Sequence, residues 1–478
     1  MNKRITLHGL LLLLMQLPFL AHGQGAYSLQ KCIEIALKRN TQLNITRRTN
    51  DINSVNLTQS KYAQYPSLNA NASQAFSFGK SLDPSTYQYV NQNIASNVFA
   101  ITSSFVLFNG GELVNTIKLN NALVDAGNMD ISTFQNTVIL GVTASYVQIL
   151  LDNELIGIAK DAIDRDQKQI DITKVMVNAG SVPELNLFQV QSQMAADQLT
   201  LTNAQNQLAL DRLTIEQLMN QPDSSSFDIV KPPLPEPPAT LDQTPASALY
   251  NNSVEAQPQV KSTELKMAAA KYAFDVARGA MYPRLALNSS ISTNYSSSRS
   301  LISDNIFYQT EQIGYTQGTP SALVYGIVPE QRITKANYPF FNQLGDNIGE
   351  GFTFSLTIPI FNNYIIRANE QQALINQDVA KLNDEYTREL FRKTIEQAYT
   401  DMQGTNKQYN SSKEALRTET EAFKTMQTKY DNGAANATDL VLETNKYTTA
   451  QSQVAQAKCN FLYKQKVLDF YLGKSILF

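Results

Sequence analysis

The chain has 478 residues, with 39 Lys and Arg against 42 Asp and Glu, a formal net charge of −3. So mild an acidity gives no electrostatic footprint for nucleic acid. Its only histidines are His8 and His22, and its two cysteines, Cys32 and Cys459, are far apart; with no G-x-x-x-x-G-K-S/T loop either, no metal centre, phosphate cradle or catalytic constellation is expected.

The first 23 residues read as a signal peptide: "MNKR" is a basic start, Leu10 to Leu14 with Met15 and Leu17 form a short apolar run, and Ala21-His22-Gly23 is a small-x-small cleavage site. The chain is thus expected to be exported, its net charge moving from −3 to −5 as Lys3 and Arg4 leave. Cys32 and Cys459 then have two readings, a bridge formed in an oxidising compartment or two separate buried thiols. After residue 23 there is no run of 18 apolar residues, so no transmembrane helix is expected. Any membrane crossing is left to strands.

From Ser28, a plausible N-cap, to about Tyr62 the composition predicts one helix. Tyr65-Pro66 stops it, because the residue before proline resists the helical region. A strand, "SLNANASQAFSF", follows from Ser67. A loop at 79–95 leads to a returning strand, "SNVFAITSSFVLF". Asn109-Gly110-Gly111 then opens a long helix, which Asn178-Ala179-Gly180 ends as a left-handed C-cap. A shorter helix returns to about Asn220. The proline-rich stretch 222–245, "PDSSSFDIVKPPLPEPPATLDQTP", reads as a semi-extended strap.

The series then repeats. A helix is expected from about Ala246 to Ala280, with Pro258 bending or interrupting it. Tyr282-Pro283 precedes the strand "RLALNSSISTNY", and a longer loop, 300–350, leads to "GFTFSLTIPIF". Asn362-Asn363 opens a second long helix, ended by Asp431-Asn432-Gly433, and a return helix runs to Gly473. Phe108, Tyr146, Asn153, Gly180 and Leu187 each find their like 253 residues on, and Tyr65-Pro66-Ser67-Leu68 matches Tyr282-Pro283-Arg284-Leu285 at an offset of 217. The two offsets differ by 36, an insertion in the second copy. The chain reads as a tandem duplication: 1–23 signal peptide, 24–221 first repeat, 222–245 strap, 246–473 second repeat and 474–478 tail.

Phe352, Phe354, Leu356 and Ile358 alternate with Thr353, Ser355 and Thr357, the spacing of a strand with one apolar face. The strands have the length that crosses a bilayer when tilted. Four strands cannot close a membrane barrel, which takes about eight, and open sheet edges are not tolerated in lipid. Each chain is therefore expected to lend four strands to a shared barrel, with Phe352, Phe354, Leu356 and Ile358 facing lipid. The long helices, about 105 Å each, match a return helix of about 60 Å placed end to end with an opening helix of about 50 Å. Their many Asn, Gln, Ser and Thr suit helices wetted on two sides, a hollow bundle continuing the pore.

The duplicated Tyr-Pro-x-Leu, the Phe-Asn closing the next strand, and the turns from Gly180 to Leu187 and from Gly433 to Leu440 resemble the outer-membrane efflux family of TolC, over Ser28 to Gly473. The resemblance implies an α+β fold of long antiparallel helical hairpins forming a periplasmic tunnel. It implies a homotrimer with a twelve-stranded transmembrane β-barrel in the outer membrane of a Gram-negative bacterium, and docking to a periplasmic adaptor and an inner-membrane pump, with no cofactor. The implied function is a passive exit duct for small toxic compounds. A protein-secretion channel is an alternative, and so is a pore-less periplasmic coiled-coil scaffold or adhesin. In this family polar and charged residues near the helical turns close the tunnel. The matching positions are Asp439, Tyr430 and Asn186, with Gly180 and Gly433 at the tips that meet the adaptor. Asp439 suits a cation-attracting ring and a helix-cap charge equally, and Tyr430 also reads as packing. Ala435 and Leu442 stand where some relatives carry an arginine and a second acid.

Overall fold

The computed structural model describes residues 26–82, 87–91, 93–221, 227–241 and 244–476, so the expected signal peptide, 1–23, lies outside the described residues. Ser28 caps α1 (Leu29–Arg39), its hydroxyl accepting from the Lys31 N–H at 3.3 Å. The single opening helix expected from the sequence is two: α2 (Thr41–Tyr62) begins after a break at Asn40. Asn40 leaves the helical region at ψ 119°. Its N–H still closes α1 on Ala36, at 2.8 Å, while its side chain accepts from the Leu43 N–H at 3.0 Å. One asparagine ends one helix and caps the next.

Beyond lie strands β1 (Ser67–Ser77), β2 (Lys80–Leu82), β3 (Tyr89–Asn91) and β4 (Ile94–Asn109), then α3 (Glu112–Asn178) and α4 (Glu184–Leu218). The second half has α5 (Ala246–Ser253), a 3₁₀ turn at Val254–Ala256 and α6 (Pro258–Gly279), so Pro258 interrupts the helix and takes the first helical position of the next. Then come β5 (Arg284–Ser296), β6 (Ser300–Tyr315), β7 (Leu323–Asn337), α7 (Phe340–Asp346), β8 (Gly349–Thr357), α8 (Ile365–Asp431) and α9 (Ala437–Tyr471). The long helices α3 and α8 have 67 residues each, and α4 and α9 have 35 each.

The chain divides into two units. The first takes the chain up to Ser54, Ala122–Ala268 and everything from Asp378. In its core, Val138, Val142, Tyr146, Ile149 and Leu150 of α3 pack on Leu29, Cys32 and Ala36 of α1, on Ile215 of α4, and on Phe227 and Ile229 of the strap. Each large side chain buried here contributes about 1.5–3 kcal/mol. The Tyr146 hydroxyl donates to the Val230 carbonyl at 2.6 Å, fastening the strap. Helix α3 holds one 18-residue window of mean hydropathy 1.3, long and apolar enough for a bilayer by length and composition alone, although no unbroken run of 18 apolar residues exists. Such a window also marks the core helix of a packed domain, and α3 supplies that core here. Cys32 and Cys459 are free, buried in different clusters, which settles their pairing. Burial pushes their thiols up, to about 12 and about 11.

The second unit is Val55–Asn121 with Ala269–Gln377. Its main sheet has four antiparallel strands in the order β1-β4-β5-β8. Segment 300–350, read as a loop, is instead a separate two-stranded hairpin, β6–β7, followed by α7. Phe340 of α7 lies 5.0 Å from Tyr295 and 6.4 Å from Phe99, ring centre to ring centre. Gln343, buried, accepts from the Ser296 N–H at 3.0 Å. Strand β8 stops at Thr357, so Ile358 lies past its end, a correction to the expected strand face. Pro359 follows directly and has no N–H to continue a ladder.

Candidate functional site

In the main sheet, cross-strand partners share a face. Phe354 of β8 pairs with Leu287 of β5, which pairs with Phe105 of β4; Leu356 pairs with Leu285. Ile291 pairs with Ile101, which pairs with Ala70. This apolar face is bare at β8, where Phe352, Phe354 and Leu356 are 75%, 69% and 60% exposed. The opposite face is polar and bonded to itself. The Ser67 hydroxyl donates to the Ser104 carbonyl (3.4 Å), Ser104 Oγ to Asn288 Oδ1 (2.9 Å), and Asn288 Nδ2 to Ser355 Oγ (3.3 Å), a row across all four strands. Among the described residues, outer strands β1 and β8 each leave one edge unpaired.

In the first unit, the turn glycines Gly180 and Gly433 have φ of +70° and +71°, the left-handed region that glycine enters without penalty. Ser181 N–H bonds the Met176 carbonyl (3.0 Å) and Gly180 N–H that of Val177 (2.9 Å), a Schellman closure; Ala434 and Gly433 repeat it on Lys429 and Tyr430 at 2.8 and 2.9 Å. Asn436 caps α9 by accepting from the Asp439 N–H at 2.8 Å. That places the Asp439 carboxylate, exposed, in the first turn of α9, where the helix dipole favours a negative charge.

Tyr430 is 1% exposed, packed with Ile170, Val190, Ala437 and Leu440. Its hydroxyl lies 3.0 Å from Thr173 Oγ1, so within this chain its partner is Thr173 and not Asn186, which is half-buried with its N–H on the Pro183 carbonyl at 3.0 Å. Ala435 packs against the same cluster, and Leu442 is exposed. The two hairpins meet through amide and hydroxyl groups. Gln189 donates to Thr438 (3.1 Å), Gln193 and Asn445 exchange bonds at 2.7 and 3.0 Å, and Gln427 donates to Gln169 (2.8 Å). Arg165 donates to Thr448 (3.0 Å) and sits 5.3 Å over the Tyr447 ring, which stacks on Phe423. Sequence reading missed Thr173, Arg165 and Tyr447, since the contacts Thr173–Tyr430, Arg165–Thr448 and Arg165–Tyr447 each join residues more than 250 apart and no local pattern marks them. Among the described residues no group of three or more His, Cys, Asp or Glu is placed to hold a metal ion.

The model of the outer membrane efflux protein family matches residues 32–221 and 341–474, more than half of the chain. No curated protein matches it in sequence. Among solved structures, the chain is similar to CusC, described for its transmembrane channel formation: 17% identity, 94% of this chain and 92% of that one covered, TM-score 0.74. It is similar to the outer membrane protein VceC of Vibrio cholerae, at 12% identity over 94% of this chain and 96% of that one, TM-score 0.73. The open-state MtrE outer membrane channel of Neisseria gonorrhoeae gives 16% identity, 93% and 89% coverage, and a TM-score of 0.71. These likenesses carry the fold: long helices plus a strand sheet, TolC-like.

Proposed function

The chain belongs to the outer membrane efflux protein family, a family of channels, and on that premise we propose that it is the outer-membrane exit duct of a tripartite efflux system. Three copies each contribute β1, β4, β5 and β8 to a twelve-stranded barrel, with Phe352, Phe354 and Leu356 on lipid and the Ser104–Asn288–Ser355 row lining a wet lumen. The observation that carries this reading is the main sheet: one face apolar and bare at β8, the other hydrogen-bonded to itself, and, among the described residues, an unpaired edge at each end. An unpaired edge in lipid costs several kcal/mol per unsatisfied group. Joining β8 of one copy to β1 of the next, a head-to-tail contact that closes into a ring, removes every edge.

The helices α3, α4, α8 and α9 form the periplasmic tunnel in this reading. The turns at Gly180 and Gly433 are the contact for a periplasmic adaptor and its inner-membrane pump, and Asp439, with Tyr430 and Asn186, stands at the constriction. The two repeats, 24–221 and 246–473, are joined by the strap, 222–245, and preceded by a cleaved signal peptide; equal helix lengths of 67 and 35 residues in both halves support the duplication. The cargo is small toxic compounds, moved passively, the energy coming from the pump. The native mass of the protein extracted in detergent from an isolated outer-membrane fraction tests the proposal. A trimeric particle is expected, and a soluble monomer overturns it.

A further inference from the structure

On α3, Asp152, Ala159, Asp166 and Thr173 recur every seven residues, and all are buried, the two carboxylates at 2% and 4% exposure. On α4, the antiparallel partner beyond the Gly180 turn, Val190, Asp197, Ala204 and Asp211 recur at the same interval. A seven-residue repeat keeps one stripe facing one seam. The seam therefore sets Asp152 against Asp211 and Asp166 against Asp197, and the residue numbers of each pair total 363. Gln148 donates to Asp152 Oδ1 at 3.1 Å, and Gln207 donates to Asp211 Oδ2 at 2.9 Å. The other oxygens, Asp152 Oδ2 and Asp166 Oδ2, are buried and meet no donor among the described residues. What faces each is another carboxyl group, within hydrogen-bonding contact.

Asp211 and Asp197 are half-buried; two carboxylates in contact repel, and the buried oxygens of Asp152 and Asp166 go unsatisfied unless one member of each pair is a carboxylic acid that donates to the other. We propose that Asp152 with Asp211, and Asp166 with Asp197, are two proton-binding sites, each pair sharing one proton across the α3–α4 seam, so that loss of the protons loosens the first hairpin and not the second. The second hairpin carries no such pair. At the corresponding positions stand Thr405 and Glu419 on α8 and Ala450 and Lys464 on α9, and Lys464 is neutralised by Asp401 at 2.8 Å.

The surroundings leave the protons in place. Around Asp152, besides Asp211, stands the Cys459 thiol of α9, and beside that thiol lie Glu154 and Lys458, the latter engaged with Glu236 at 2.7 Å. Beside Asp166 stands Arg165, which opposes the proton but less than burial and Asp197 favour it; Arg165 also engages Thr448 and Tyr447, while α8 and α9 present the neutral Gln427, Leu440 and Thr444. Burial first, then the facing carboxylate, raises Asp152 and Asp166 from 3.8 to about 7. A raised carboxyl means the folded hairpin holds more protons than the unfolded chain between those values, so this stabilisation is present at acid pH and is lost as pH rises through about 7.

The test uses the full chain in detergent. Infrared spectra of the wild type across the pH range should keep a protonated-carboxyl band above about pH 5.5, where ordinary carboxyls have ionised; its absence there overturns the proposal. In Asp152→Asn/Asp166→Asn, where each amide still donates to the facing carboxylate, that band is expected to vanish; its persistence assigns it elsewhere and overturns the proposal. Hydrogen exchange, corrected for intrinsic pH dependence, should accelerate severalfold in α4 between pH about 6 and about 8 but not in α9, and the double variant should abolish the difference. Equal responses of α4 and α9 overturn it. If the double variant fails to fold, the wild-type band and the comparison of α4 with α9 decide alone. The proposal stands on the chain's own geometry and does not depend on the cargo or the partners.

Discussion

At Gly110 the backbone turns with φ +64°, and a Cβ added there would lie 2.3 Å from the Gly279 carbonyl oxygen. Left-handed backbone alone costs about 1–2 kcal/mol for a residue with a side chain, and overpacking adds about 1–3 kcal/mol. Gly110→Ala is therefore expected to lower the thermal unfolding midpoint sharply. Gly157→Ala, mid-helix with nothing within 4 Å of the new Cβ, should hold or raise it, by up to about 1 kcal/mol of helix propensity. A second residue, Glu236, anchors the strap: it bonds the Tyr409 hydroxyl and takes Lys458 at 2.7 Å and Lys413 at 3.6 Å. Lys458 first, then Tyr409, holds its carboxyl down from 4.5 to about 2. A depressed carboxyl contributes above its unfolded value and is lost as pH falls through its folded one. Hydrogen exchange in residues 227–241 should therefore rise between pH 4.5 and about 2 in the wild type, and Glu236→Gln should remove that step.

Among elements, β8 is where sequence and structure agree most closely. Phe352, Phe354 and Leu356 alternate, and the fold leaves them bare. Phe354→Lys with Leu356→Lys is expected to abolish outer-membrane insertion, each charge costing up to about 2–4 kcal/mol on a lipid face. Fractionation checks it, and normal insertion would mean this face does not meet lipid. The helices were legible because Gly, Pro and Asn punctuate them: the Schellman turns at Gly180 and Gly433 follow from one left-handed residue each. The break at Asn40 was not, because asparagine within an uninterrupted polar run gives no stop signal until its side chain is seen capping Leu43. Hairpin β6–β7 was missed for a related reason, since a Tyr- and Gln-rich segment reads as a polar loop when pairing is decided by register between residues as distant as Ser300 and Asn337.

For the whole molecule, the proposed ring brings three copies of Asp439 around one axis. Within a single chain that carboxylate is an exposed first-turn charge capped by Asn436. Low-dielectric walls focus the field of a carboxylate ring. Asp439→Ala is expected to weaken cation selectivity and blockade by multivalent cations in planar-bilayer recordings, and unchanged currents would return Asp439 to a capping role alone.

The amino-acid sequence by itself determined the fold class, the family, and the elements whose signals are local: alternation in β8, long proline-free helices, and glycine at the left-handed turns. These are set within one or two turns of chain, where propensity and periodicity act. Tertiary structure decided what depends on residues meeting across hundreds of positions. The Tyr430 and Thr173 hydroxyls meet, Cys32 and Cys459 go to separate clusters, and Asp152 and Asp166 face carboxyls across a helical seam. A sequence lists the groups available to pair; which of them do so is fixed by helix register and burial, and those exist only once the chain has packed.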